Sequence, residues 1–319
     1  MNETYFVLCI SNESFPNSSA SMALNLATFR TRTLTAVIFV VVMLTGLLGG
    51  KYLFFLLFSF IHFGCWIEYQ RLISKMDPDY LGISSFHRYG IMIAGWCLML
   101  NFTSDEFLFF GLRFHALGWF IGLPILLIFP LVELLFTHNI QLKNLRNSLF
   151  GIIYISLSLG LFTELFARTF HLPAGNEHLS TNGPMLPMVL IGSLWINDTM
   201  AYIVGSLIGK TPFSKISPKK TWEGTAGGAI LAVVVVTLIM FFIQGRIFSW
   251  VWPCVAAIAA VAGTAGDLLE SKLKRMANVK DSGNIMPGHG GFLDRFDSLL
   301  IATPFVWLFL RFVEYWYPN

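Results

Sequence analysis

Long apolar runs, each close to the length of a bilayer crossing, alternate with short polar stretches along almost the whole chain. A helix needs about 20 mostly apolar residues to cross the hydrocarbon core. Runs of that kind fall roughly at 33–50, 52–70, 88–103, 116–136, 147–165, 185–207, 225–244, 250–268 and 299–316. The pattern predicts an all-α, polytopic integral membrane protein with about nine transmembrane helices. The third run is short, and 105–115 can extend the fourth. The runs at 225–244 and 250–268 are the cleanest, with no charge before Asp267. Three regions follow: a polar N-terminal tail over 1–28, a transmembrane scaffold over 29–145, and a C-terminal transmembrane region over 146–319 that holds the candidate chemistry. The tail lacks the basic segment and short apolar core of a signal peptide.

Composition strengthens this picture. The chain is 55% hydrophobic and 12% charged, about half the charge of an ordinary soluble domain. A net charge of +3 is too mild to imply a nucleic-acid partner. The four cysteines show no CxxC spacing and suggest neither a zinc site nor a disulfide framework.

Charge placement then orients the spans. With the N-terminus inside, 16 of the 21 lysines and arginines fall in inner loops, as the positive-inside bias requires. Only Lys51, Arg113, Arg168, Arg246 and Arg311 remain outside. Two long polar loops, 208–224 and 269–298, then face the cytoplasm. The loop 166–184 lies outside and reads as a plain solvated connection.

The inner loops carry the chemistry. Residues 263–298 hold five acids and five bases within 36 positions, more than topology needs. If the 250–268 helix continues, Asp267, Glu270, Ser271 and Lys274 share one face. Asp294 and Asp297 stand one turn apart at the start of the last span. Two acidic helix ends joined by a glycine-rich loop can converge on a cation. Hard carboxylate oxygens with substrate phosphates suit Mg²⁺, with a second cation as an option. Basic side chains neutralise phosphate charge, and Gly288, Gly290 and Gly291 allow close backbone approach. The loop "SPKKTWEG" sets lysines before a helix N-terminus, an anion-binding arrangement. Trp222 there is either a base-stacking platform or an interfacial anchor. Asn197 and Asp198 sit within an apolar span, where an acid is functional or pairs helices.

The stretch from Ser271 to Asp297 resembles the signature of the phosphatidate cytidylyltransferases, also called CDP-diacylglycerol synthases. Ser271, Leu273, Lys274, Arg275, Lys280, Asp281, Gly283, Pro287, His289, Gly290, Gly291, Phe292, Asp294, Arg295, Phe296 and Asp297 stand in register with it. Met286 departs, standing where the family has another apolar residue. "SPKKTWEG", "NDTMAY" and "GDLLESKLKR" are similar to further family segments, and the likeness extends over most of 29–316.

The resemblance implies transfer of CMP from CTP to phosphatidate, with Mg²⁺, giving CDP-diacylglycerol and pyrophosphate. It implies Asp267 and Asp294 as metal ligands, with Asp297, Asp281 and Asp198 as further ligands or their supports. Ser217, Lys219, Lys220 and Thr221 are expected on the CTP phosphates, with Glu223 orienting their loop. Lys274, Arg275, Lys280 and Arg295 are expected on phosphatidate or pyrophosphate. His289 either donates to a phosphate or orders its loop. The expected setting is a bacterial inner membrane with the site facing the cytoplasm, and a second copy of the chain as a candidate homodimer partner. The rival readings are another lipid-phosphate enzyme, such as a CDP-archaeol synthase or polyprenol kinase, and an ion transporter using Asp198, Asp267 and Asp294. Against transport, no inverted repeat is visible and the charges gather at one membrane face.

Overall fold

A computed structural model describes residues 26–136, 142–174, 177–214, 216–245, 247–283 and 290–317. Its helices are Leu26–Leu48, Lys51–Met76, Ser85–Leu100, Phe114–Phe136, Leu142–Ala167, Met185–Ile208, Trp222–Ile243, Val251–Met276 and Leu293–Trp316. Among the described residues, six are long and apolar enough to cross a membrane: Lys51–Met76, Leu142–Ala167 and the four from Met185 onward. The protein is therefore helical and polytopic. Ser85–Leu100 has 16 residues and reaches about 24 Å at the α-helical rise, short of the roughly 30 Å core.

Two connections differ from the expectation. Of residues 105–115, only Phe114 and His115 extend the fourth helix; Leu108–Phe109 and Leu112–Arg113 form an antiparallel hairpin. Its turn places Phe110 at φ 49° and Gly111 at φ 81°, the left-handed pair that tight hairpins favour. The 166–184 connection is also not a plain solvated loop. Phe170–Ala174 pairs with Glu177–Thr181, burying Phe170 and Leu172, and Ser249 Oγ donates to the Pro173 carbonyl at 2.7 Å.

The core is dense with aromatic rings. Phe54 stacks on Phe166 with centroids 4.0 Å apart, and Phe58 meets Phe162 at 4.7 Å. Leu142–Ala167 widens to a π-helix over Ile152–Leu157. Its Ser156 hydroxyl lies 2.9 Å from both His62 Nε2 and the Trp66 indole nitrogen, all buried. Cys65 and Cys97 are buried free thiols, as their apolar runs implied.

Small residues set the helix crossings beneath the candidate site. A Cβ on Gly266 would lie 2.5 Å from the Asp297 carbonyl, and one on Gly228 would lie 2.7 Å from the Asn197 carbonyl. Neither crossing admits a side chain, so backbones touch where the functional residues converge.

Candidate active site

The helix carrying Asp267 continues to Met276, which puts Asp267 and Glu270 on one face, as the spacing requires. The last helix starts at Leu293 rather than near 299, so Asp294 and Asp297 belong to its first two turns. Because Gly266 lets the two helices touch, Asp297 arrives opposite Asp267 and Glu270. One carboxylate oxygen from each of Asp267, Glu270 and Asp297 lies within 4.8 Å of the others.

These residues fit a hard divalent cation. Glu270 is fully buried, and its Oε1 has no hydrogen-bond partner. Lys274 pairs with its other oxygen, and a cation beside Oε1 would relieve the cost of leaving that buried atom without a partner. Three carboxylates gathered at this spacing match the ligand chemistry of Mg²⁺.

Asp294, expected beside Asp267 as a ligand, is engaged elsewhere. Its Oδ1 takes Lys274 Nζ at 2.6 Å, and its Oδ2 accepts from Ser282 N, Ser282 Oγ and Gly291 N at 2.8–2.9 Å. The acid anchors the glycine-rich loop to its own helix. Glu270 and Asp297 are the acids that gather with Asp267. Lys274 bridges Asp294 and Glu270 from a site only 14% exposed.

The glycines also differ in use. Gly290 stands at φ 82°, and a Cβ there would meet Asp294 Oδ2 at 2.5 Å. Gly291 is closed off by Glu68, whose Oε2 would lie 2.2 Å from an added Cβ. Both glycines make room for carboxylates. Gly288 and His289 lie outside the described residues.

A cavity of about 530 Å³ opens beside the acids, and among its lining residues are Asp198, Ser217, Lys219, Lys220, Thr221 and Asp267. Lys220 Nζ pairs with Asp267 Oδ2 across it. Thr221 caps the Trp222–Ile243 helix, its hydroxyl accepting from Gly224 N at 3.1 Å. Glu223 receives Lys210 N, Thr211 N and Thr211 Oγ at 2.8–3.2 Å, which folds the lysine loop back over its helix. Trp222 rests against Phe213, with centroids 4.4 Å apart.

A smaller cleft of about 120 Å³ runs from the acids to apolar Phe39, Met43, Ile191 and Leu194, and also touches Asp198, Asp294, Arg295 and Asp297. One space is thus polar and lysine-lined, the other polar at one end and greasy at the other. Arg275, Lys280 and Asp281 are exposed at and beyond the end of the Asp267 helix. Glu68 is the residue that sequence reasoning missed. It is a buried acid on the Lys51–Met76 helix, more than 200 positions from the groups it binds.

Comparison with known proteins gives a consistent family. The model described as "Cytidylyltransferase family" matches residues 30–313. A protein of Staphylococcus saprophyticus named phosphatidate cytidylyltransferase is 32% identical over 278 residues, spanning 86% of this chain and 96% of that protein. One of the same name from Bacillus subtilis is 47% identical over 118 residues, covering 37% of this chain and 44% of its own length. A Staphylococcus haemolyticus namesake is 46% identical over 112 residues, 35% of this chain and 43% of its own.

Proposed function

The chain belongs to the cytidylyltransferase family, and on that premise we propose that it transfers CMP from CTP to phosphatidate, giving CDP-diacylglycerol and pyrophosphate. The observation that carries this reading is Asp267, which gathers with Glu270 and Asp297 on one side and, on the other, lines the cavity that holds Lys220 and Thr221. Bond-making needs no protein nucleophile, because phosphatidate brings its own anionic oxygen. The protein's task is positioning and charge stabilisation.

In this reading Asp267, Glu270 and Asp297 hold Mg²⁺. When bound, the ion supplies charge neutralisation at the reacting phosphate. Lys220 and Thr221, with Ser217 and Lys219, take the CTP phosphates in the 530 Å³ cavity. Glu223 keeps that loop folded. Arg295 lies at the polar mouth of the smaller cleft and receives the phosphatidate headgroup, while Phe39, Met43 and Leu194 meet its glycerol and first acyl carbons. Asp198 lines both spaces and orders the groups between them. Attack at the α-phosphorus then joins the two substrates as pyrophosphate leaves.

The same reading puts the N-terminus and the site on the cytoplasmic side of a bacterial inner membrane, with about nine crossings. The lysine-rich loops support it, since CTP is supplied from that side. The test is pyrophosphate release by the purified protein, with and without phosphatidate, in Mg²⁺ and in EDTA. Release requiring CTP, lipid and metal together upholds the reading. Release with another lipid phosphate and none with phosphatidate overturns the substrate assignment.

A further inference from the structure

Glu68 belongs to none of the groups just assigned, yet it is the buried acid most tightly tied to the site. It is fully buried. Its Oε1 accepts from Phe292 N at 2.9 Å, and its Oε2 accepts from Leu293 N at 2.8 Å. These are free N–H groups at the mouth of the last helix, where side chains of the helix itself usually do the capping. Here Phe292 occupies the cap position and makes no side-chain cap. A carboxylate from another helix takes over, favoured by the positive end of the helix dipole.

Surrounding residues are shaped for this one side chain. A Cβ on Gly283 would lie 2.2 Å from Glu68 Oε1, and one on Gly291 would lie 2.2 Å from Oε2. One turn earlier on the same helix as Glu68, a Cβ on Gly64 would lie 2.2 Å from the Phe292 ring. Three glycines on two segments thus let the loop close around Glu68. The Ser282 hydroxyl lies 2.7 Å from Glu68 Oε2 and 2.9 Å from Asp294 Oδ2, its single hydrogen shared between them. Asp294 holds Lys274, and Lys274 holds Glu270. A continuous chain of polar contacts therefore runs from Glu68 to the acid trio.

We propose that Glu68 is the positioning residue of this active site: it fixes where the last helix begins and how it is rotated, and so sets Asp297 against Asp267 and Glu270. The inference rests on the reading of that trio as the cation site. Glu68 touches no substrate. It acts through the backbone of Phe292 and Leu293 and through Ser282.

The test compares wild type with Glu68→Gln and Ser282→Ala, each as the full chain in detergent. An amide at position 68 offers one acceptor where two N–H groups and a hydroxyl need them. The first measurement is direct Mn²⁺ binding to the resting protein, followed by electron paramagnetic resonance with no CTP or lipid present. Glu68→Gln is expected to weaken Mn²⁺ binding and lower kcat by about tenfold, the scale of one charge-assisted hydrogen bond, with the KM for CTP nearly unchanged. Ser282→Ala should move both quantities in the same direction by less. Folded Glu68→Gln with wild-type Mn²⁺ affinity and kcat overturns the proposal. If Glu68→Gln does not fold, unchanged Mn²⁺ binding and kcat in Ser282→Ala overturn it, and a shift in both upholds it. Wild type that binds Mn²⁺ but makes no CDP-diacylglycerol defeats the functional reading instead and leaves the positioning role of Glu68 standing.

Discussion

Replacing Lys274 with methionine tests whether the acid cluster is held by the network described above. Lys274 Nζ sits between Glu270 and Asp294, with side-chain exposures of 14%, 0% and 7% respectively. Methionine keeps most of the volume and removes the charge. Asp294 still has Ser282 and Gly291 as donors, but Glu270 loses its only ion-pair partner among the described residues. Removing one partner of a buried pair costs about 3–5 kcal/mol, because the remaining charge is left uncompensated. Neutralising Glu270 as well should recover much of that loss. In a cycle of Lys274→Met, Glu270→Gln and the double variant, coupling should fall in the range of about 0.5–3 kcal/mol found for touching residues. The assay is unfolding of each variant in mild detergent, monitored by tryptophan fluorescence, with turnover measured on the same samples. The double variant should regain stability but not activity, because Glu270 belongs to the cation trio. A Lys274→Met protein as stable as wild type, or strict additivity in the cycle, would refute the network.

Further outcomes follow from the same geometry. Asp297→Asn should abolish turnover at ordinary Mg²⁺ and leave the protein inserted and folded, checked by activity against melting in detergent. EDTA should stop pyrophosphate release and excess Mg²⁺ should restore it; release that persists in EDTA would remove the trio from the chemistry. Lys220→Met should raise the KM for CTP by about tenfold or more, the loss of one charge-assisted contact to phosphate, and steady-state kinetics over CTP concentration reads it. Gly228→Leu drives a side chain into the Asn197 carbonyl and should destabilise the helix crossing by about 1–3 kcal/mol, with activity falling alongside the melting temperature.

Much of the site could be read before any fold was known, because its signals are local. Asp267 and Glu270 stand one turn apart on a clean apolar helix, and Thr221 and Glu223 open another. That Glu270 and Asp297 gather with Asp267 could not be read from spacing, since it depends on which face of the last helix meets Gly266. Glu68 was invisible for a related reason. In "CWIEYQRL" it looks like an ordinary acid near a helix end, and its partners are backbone groups far along the chain. The hairpin at Phe170–Thr181 hid behind a proline at 173 and short strands. The π-helix at Ile152–Leu157 left no mark in an apolar run.

Glu68 also sets a problem of timing for synthesis. Its helix enters the bilayer early, carrying an acid that a lipid environment disfavours by a few kcal/mol. Its backbone partners at Phe292 and Leu293 are made 224 and 225 residues later, about 10–45 s at ordinary rates of chain growth. Until the last helix arrives, no earlier segment supplies those two N–H groups. The final helix is therefore the step that closes the acid in, and a ribosome that stops before it leaves a nearly complete bundle with the Glu68 carboxyl still uncapped.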